Sequence, residues 1–255
     1  MSSSVTDAFL LTDRVALVTG GSRGLGREMV KAFAAAGAHV VIASRKMENC
    51  QELADEIMAT TDRQALPYGC HVGDWDQIDG LVEAAYERFG RVDVLVNNAG
   101  MSPLYPSLAD HSEALYDKVF DVNLKGPFRL MATVGARMAD GDGGSIINVS
   151  SGGAVRPRPS IIPYAAAKAG LNAMTIGFAH AFGPKVRVNC IQAGPFLTDI
   201  SKAWDLEAVR KEHEAHFALR RPGNPDEVVG AALYFASDAS SWTTGAILPV
   251  DGGMP

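Results

Sequence analysis

Short, unbroken apolar runs alternate along this chain with longer stretches in which apolar positions recur every three or four residues. The runs are Arg14–Thr19, Ala38–Ala43, Ala65–Val72, Val92–Val96, Ser145–Ser150, Val186–Ile191 and Ala246–Val250. Each is short and continuous rather than alternating, which predicts a strand buried on both faces. Helical spacing fills the intervals Arg27–Ala36, Met47–Ala59, Asp76–Phe89, Ser112–Ala139, Tyr164–Phe182 and Asp226–Ala236. Gly37, Gly90 and Gly183-Pro184 supply the stops. Phe196–Phe217 is polar, rich in Lys, Glu and His, with Trp204 and Phe217 as apolar anchors. Strand–helix alternation of this kind predicts an α/β fold, a parallel sheet with helices on both faces. No linker, repeat or low-complexity segment interrupts it, so residues 1–255 are expected to form a single domain.

Composition narrows the partners more than the fold. A net charge of −6 without a basic block argues against nucleic acid and against an anionic membrane surface. Cys50, Cys70 and Cys190 have no metal-ligand spacing, and their odd number and separation predict reduced thiols in a cytoplasmic protein. His71, His111, His180, His213 and His216 form no metal-like grouping either, so no metal site is expected. No apolar run approaches the ~18 residues of a membrane span. Met1–Ala8 is polar, lacks the charged start and apolar run of a signal peptide, and reads as a frayed terminus.

In a parallel sheet of this kind, ligands bind beyond the carboxyl ends of the strands. The chemically suggestive residues all follow strands: Gly20–Gly26, Ser44-Arg45, Asn97–Gly100, Ser151 and Gly194–Thr198. Gly20-x3-Gly24-x-Gly26 joins the first strand to the first helix. Glycines let the backbone approach a ligand closely, and a helix amino terminus offers N–H groups and a positive dipole end to a pyrophosphate. Gly20, Ser22, Arg23, Gly24, Leu25 and Gly26 are therefore expected at a dinucleotide. At the end of the second strand, an acid would bond the ribose 2′-hydroxyl of NAD, whereas an arginine suits the extra phosphate of NADP. This chain has Ser44-Arg45-Lys46 and no acid between Gly37 and Met47. With Arg23 as a second guanidinium, the pattern favours NADP(H), with NAD(H) as the other possibility.

Tyr164 and Lys168 stand four apart in a run of alanines, on one face of a predicted helix. Ser151 ends the fifth strand just upstream. A lysine ammonium ~5 Å from a phenol, at an effective dielectric of ~20, favours the phenolate by ~3 kcal/mol. That is roughly two pKa units. Such a tyrosine can act as a general acid or base, with the Ser151 hydroxyl stabilising charge on a substrate oxygen.

Thr19-Gly20-x3-Gly24-x-Gly26, Asn97-Asn98-Ala99-Gly100, Asn123, Ser151, Tyr164-x3-Lys168 and Gly194 with Thr198 follow one another in order. The set resembles the single-domain branch of the short-chain dehydrogenase/reductase family, essentially end to end. The resemblance implies a Rossmann-type doubly wound sheet of about seven parallel strands, a nicotinamide cofactor and a homotetramer. It also implies cofactor contacts at His71, Val72, Asn98, Ala99, Gly100, Gly194 and Thr198. Tyr164, Ser151 and Lys168 become catalytic, with Lys168 also placing the cofactor ribose. Asn123 becomes the holder of a water that relays protons from Lys168. Two positions depart from the family: His71 stands where an aspartate is common, and Ala193-Gly194-Pro195 where Pro-Gly is common.

The expected activity is hydride transfer between a ketone and a secondary alcohol, with a small-molecule carbonyl or alcohol as substrate. The segment 196–217 is the expected substrate lid, with Ile200, Trp204 and Leu206 on its apolar underside. Gly152–Pro163 faces the same space and carries Arg156, Arg158, Ile161 and Ile162. A 3-oxoacyl-carrier-protein or acyl-CoA reductase ranks second, because no evident arginine patch is present to dock an acidic carrier. A sugar-acid or polyol dehydrogenase and a non-catalytic NADP(H) sensor complete the alternatives. Surplus apolar and alanine positions in Leu115–Met138 and Tyr164–Phe182 fit helix interfaces between subunits.

Overall fold

The computed structural model describes residues 6–198 and 206–255. Seven strands form one parallel sheet in the order β3-β2-β1-β4-β5-β6-β7. They are β1 Val15–Thr19, β2 His39–Ser44, β3 Ala65–Gly69, β4 Val94–Asn97, β5 Gly144–Ser151, β6 Val186–Ala193 and β7 Ile247–Val250. Eight α-helices connect them among the described residues: α1 Gly24–Ala35, α2 Met47–Thr60, α3 Trp75–Phe89, α4 Glu113–Phe120, α5 Gly126–Asp140, α6 Ile162–Phe182, α7 Leu206–His216 and α8 Val229–Ala236.

Side chains alternate across the sheet, so each strand feeds two cores. Ala16, Val18, Val40, Ile42, Val94 and Val96 pack with Phe33 of α1, Leu53 of α2 and Phe235 of α8. Val15, Leu17, Val41, Leu95 and Ile146 pack on the other face with Leu81 of α3, Met131 of α5 and Leu171 of α6. All five residues of β1 are buried, as its continuous apolar run predicts. Strand order reverses between β1 and β4, which opens a crevice at the carboxyl ends of these strands.

Local signals place the helix ends. The Asp74 carboxylate accepts the N–H groups of Asp76 and Gln77 to start α3, and Gly90 closes it in the left-handed region with φ 73°. Two expectations shift. The third strand stops at Gly69 rather than Val72, because it is the sheet's edge and its residues are only half-buried. The stretch Ser112–Ala139 becomes α4 and α5 joined through a single π-helical turn, Asp121–Lys125, with Asn123 inside it. Among the described residues, no helix is long and apolar enough to cross a membrane.

Candidate active site

One cleft of about 900 Å³ runs across the carboxyl ends of the strands. Gly20, Ser22, Arg23, Gly24, Leu25, Ser44, Arg45, His71 and Val72 line one end. Asn98, Ala99, Gly100, Ser151, Tyr164, Lys168, Gly194 and Thr198 line the rest. Of the residues expected at the site, Gly26 and Asn123 do not reach the cleft.

Gly26 lies behind the loop. A Cβ built there would sit 2.2 Å from the Gly20 carbonyl oxygen and 2.5 Å from Asn98 Nδ2. Its place in the pattern is therefore set by close packing of α1 under the loop, not by a ligand. Asn98 in turn spends its amide on the loop: Nδ2 donates to the carbonyls of Thr19 at 2.9 Å and Gly20 at 3.1 Å. Thr19 Oγ1 accepts from the backbone N–H groups of Asn98 and Ala99. The second strand's end is tied in by Ser22 Oγ donating to Ser44 Oγ at 2.9 Å.

The residues present fit a nicotinamide dinucleotide. Gly20 and Gly24 hold φ of 63° and 54°, a conformation only glycine adopts freely, and it shapes a cradle open at the start of α1. Arg23, at the N-cap, makes no side-chain cap hydrogen bond to the first turn of that helix. Arg45 and Lys46 are exposed at the same end of the cleft, with no carboxylate partner among the described residues. His71 Nδ1 accepts the N–H of Gly73 at 3.2 Å.

At the other end, a buried polar network fixes α6 against β5. Asn97 Nδ2 donates to Asn148 Oδ1, and Asn148 Nδ2 donates to Thr175 Oγ1, each at 2.9 Å. Ser150 Oγ donates to the Lys168 carbonyl at 3.2 Å. Ser151 ends β5 and accepts the N–H of Gly153 at 3.1 Å, turning the chain away from the sheet. Tyr105, which the sequence did not mark, braces the start of α6: its hydroxyl donates to the Pro159 carbonyl at 2.7 Å and accepts the Ile162 N–H at 3.3 Å. Tyr164 and Lys168 then face the cleft, with Lys168 Nζ 5.9 Å from the centre of the Tyr164 ring. The Ser151 hydroxyl lies beside the Tyr164 phenol and acts to lower its pKa.

The electrostatics differ from the expected two-unit fall in the tyrosine pKa. Burial pushes the Tyr164 phenol up, and the neighbouring Ser151 hydroxyl only partly opposes it. Burial also brings the Lys168 ammonium down, to about 8. Lys168 Nζ donates to the Val149 carbonyl at 2.7 Å, an uncharged partner that holds the side chain in place. Desolvation of both groups outweighs the attraction between ammonium and phenolate. A testable consequence follows for stability. Between about 8 and the ordinary lysine value of 10.5, the unfolded chain binds the Lys168 proton more tightly than the folded protein. Stability is therefore gained as pH rises through that window. Relative to Lys168→Met, the melting temperature of the parent should climb between about pH 8 and 10; parallel curves would contradict it.

Asn123 is fully buried in the π-helical turn. Its Nδ2 donates to the carbonyls of Met101 at 2.9 Å and Val119 at 2.8 Å, and its Oδ1 accepts the Met101 N–H at 3.2 Å. Both amide hydrogens are thus committed to holding the strand-four loop and the turn itself. A Cβ at Gly100 would lie 3.0 Å from Asn123 Oδ1 and 3.6 Å from Lys168 Nζ, so the three groups meet at one point. Leu104, Val209, His213 and Met254 also line the cleft without having been singled out for it. Of the expected lid, Ile200 and Trp204 lie outside the described residues, as does the Leu206 side chain.

Comparison with known proteins agrees with this geometry. A family model described as Enoyl-(Acyl carrier protein) reductase matches residues 8–255. Dehydrogenase/reductase SDR family member 4 of Sus scrofa is 35% identical, over 95% of this chain and 88% of its own. L-rhamnose 1-dehydrogenase (NAD(P)(+)) of Azotobacter vinelandii is 39% identical, over 96% and 98%. The chain belongs to the short-chain dehydrogenase/reductase family. Among solved members, the NADPH-dependent 3-quinuclidinone reductase of Rhodotorula rubra superposes with a TM-score of 0.93 at 29% identity, covering 99% of this chain and 95% of that one. Short-chain dehydrogenases/reductases are oxidoreductases that work with nicotinamide cofactors, and this member is an enzyme of that kind. Its Rossmann-like sheet of seven parallel strands is the fold that the motifs imply.

Proposed function

We propose that this enzyme interconverts a ketone and a secondary alcohol with NADP(H), using Tyr164 as general acid in reduction and general base in oxidation. The observation that carries the reading is the shared cleft. Ser151, Tyr164 and Lys168 line one end, and Arg45 and Lys46 line the other, where no acid lines the cleft. When bound, the dinucleotide supplies or accepts the hydride. The protein's part is to hold and move the proton. Ser151 Oγ holds the substrate oxygen and stabilises charge developing on it. Tyr164 delivers the proton to that oxygen. Lys168 sets the electrostatics of the phenol and places the ribose. Asn123 holds the Met101 loop and the π-helical turn beside Lys168, and a water in that niche would relay the proton to solvent.

Named relatives do not decide between the two dinucleotides, since the rhamnose dehydrogenase is named for both. Arg45 supports NADP(H) here. A charge-assisted bond to the 2′-phosphate contributes ~1.5–3 kcal/mol, about tenfold or more in affinity. The parent should bind NADP at least about tenfold tighter than NAD, and Arg45→Ala should bring the two within about twofold. Equal affinities in the parent, measured by calorimetry, would contradict the reading.

A carrier-protein substrate has less support. Arg129 and Arg137, the arginines of α5, are taken up by Asp79 and Glu83. They leave no uncompensated basic patch there for an acidic partner. Several copies assembling together, as the resemblance implies, is supported by exposed Phe128 on α5 and Ile176 on α6.

A further inference from the structure

The charges lining the cleft are shared unevenly, and one has no part in the chemistry above. Among the described residues, Glu212 of α7 is the sole carboxylate lining the cleft. It is already engaged, because Arg158 Nη2 donates to Glu212 Oε1 at 2.6 Å. Arg23, Arg45 and Lys46 stand at the dinucleotide end, and Lys168 is held on the Val149 carbonyl. Arg156 remains. Its side chain has no hydrogen-bond or ion-pair partner among the described residues, and it lines the same cleft as Tyr164.

Its backbone position is fixed relative to the reacting end. Ser151 Oγ accepts the Gly153 N–H, and the Arg156 N–H donates to the Gly152 carbonyl at 3.0 Å. The guanidinium therefore hangs from a short turn whose first residue is the catalytic serine. Met101, Leu104, Ile161, Val209 and Met254 supply apolar wall to the cleft, with Ser102, Ser160 and His213 as uncharged or weakly basic neighbours. A cationic cleft in a chain of net charge −6 concentrates an anion where the rest of the surface repels it.

We propose that Arg156 is a substrate-binding residue and that the substrate is a ketone or secondary alcohol carrying a carboxylate on an otherwise apolar body. A guanidinium offers two parallel N–H donors that match a carboxylate. Arg158 does not compete for this role, since Glu212 occupies it. The inference rests on reading Ser151, Tyr164 and Lys168 as the reacting end of the cleft, and it names the substrate class that end would serve.

The test is titration calorimetry of the enzyme–NADP complex with cyclohexanecarboxylate and with cyclohexanecarboxamide, which share a shape and differ in charge. The parent should bind the carboxylate about tenfold more tightly. In Arg156→Gln that ratio should fall to within about twofold of unity, and Arg156→Lys should restore part of it. Arg156 is exposed and its side chain makes no hydrogen bond or ion pair among the described residues, so the melting temperature should barely move. Equal binding of the two probes by the parent, no measurable binding of the carboxylate, or an undiminished ratio in Arg156→Gln would each overturn the proposal. This readout needs no turnover. Full turnover in Tyr164→Phe would sink the proposed reaction and leave the carboxylate preference standing; a lost preference beside an inactive Tyr164→Phe would do the reverse.

Discussion

Tyr164→Phe should slow ketone reduction by ~10²- to 10⁴-fold while leaving the dinucleotide bound. That range is what a positioned proton donor contributes. The ring itself stays, so its packing beside Lys168 and the surrounding cleft is conserved in volume. What disappears is the hydroxyl that stands beside Ser151 and would protonate the substrate oxygen. Burial raises the phenol's pKa, so it keeps its proton at neutral pH and is a competent donor for reduction. The opposite direction needs the phenolate, which forms more readily as pH rises. Single-turnover rates with a saturating dinucleotide would check the variant. A loss confined to dinucleotide affinity would assign Tyr164 to cofactor binding alone.

Gly26→Ala should be the most disruptive single methyl group in the cofactor loop. The added carbon would meet the Gly20 carbonyl oxygen at 2.2 Å and Asn98 Nδ2 at 2.5 Å, and both belong to the loop's own scaffold. Backbone has to move, and the Asn98 bonds to Thr19 and Gly20 are lost with it. Overpacking of this kind costs ~1–3 kcal/mol, and more where backbone must yield. Dinucleotide affinity should drop by about tenfold or more, together with the melting temperature. Gly177→Ala is the matched control. Nothing lies within 4 Å of a Cβ there, and alanine raises helix propensity by ~1 kcal/mol. If the two variants melt and bind alike, Gly26 is not a packing glycine.

Much of this site could be read from the sequence because its parts are local. The glycine loop, Ser44-Arg45, Ser151 and the Tyr164–Lys168 pair each depend on a strand end or one helix face. Period and spacing reveal those. What stayed hidden depends on tertiary placement. Tyr105 is an ordinary loop tyrosine until Pro159 and Ile162 fold against it. Met254 reaches the cleft because the chain doubles back through Gly252 and Gly253, with φ of 69° and 73°; the glycine pair was visible, its destination was not. Asn123 was visible as an amide inside a helix, but not the π-helical turn around it. Gly26 fitted a ligand-loop pattern, yet its neighbour is a carbonyl on the same chain. The pKa of Tyr164 shows the same gap, since a Coulomb sum over the sequence pair left out the burial that outweighs it.

The central claim is that hydride passes between a dinucleotide and a carbinol carbon in the cleft that Ser151, Tyr164 and Lys168 line. The direct measurement uses reduced NADP carrying deuterium at the transferable position, a panel of ketones that includes oxo acids, and mass spectrometry of the products. Deuterium should appear on the carbinol carbon of an alcohol product with the parent enzyme, and be nearly absent with Tyr164→Phe. Alcohol formed without the label, or no alcohol from any ketone in the panel, would contradict it.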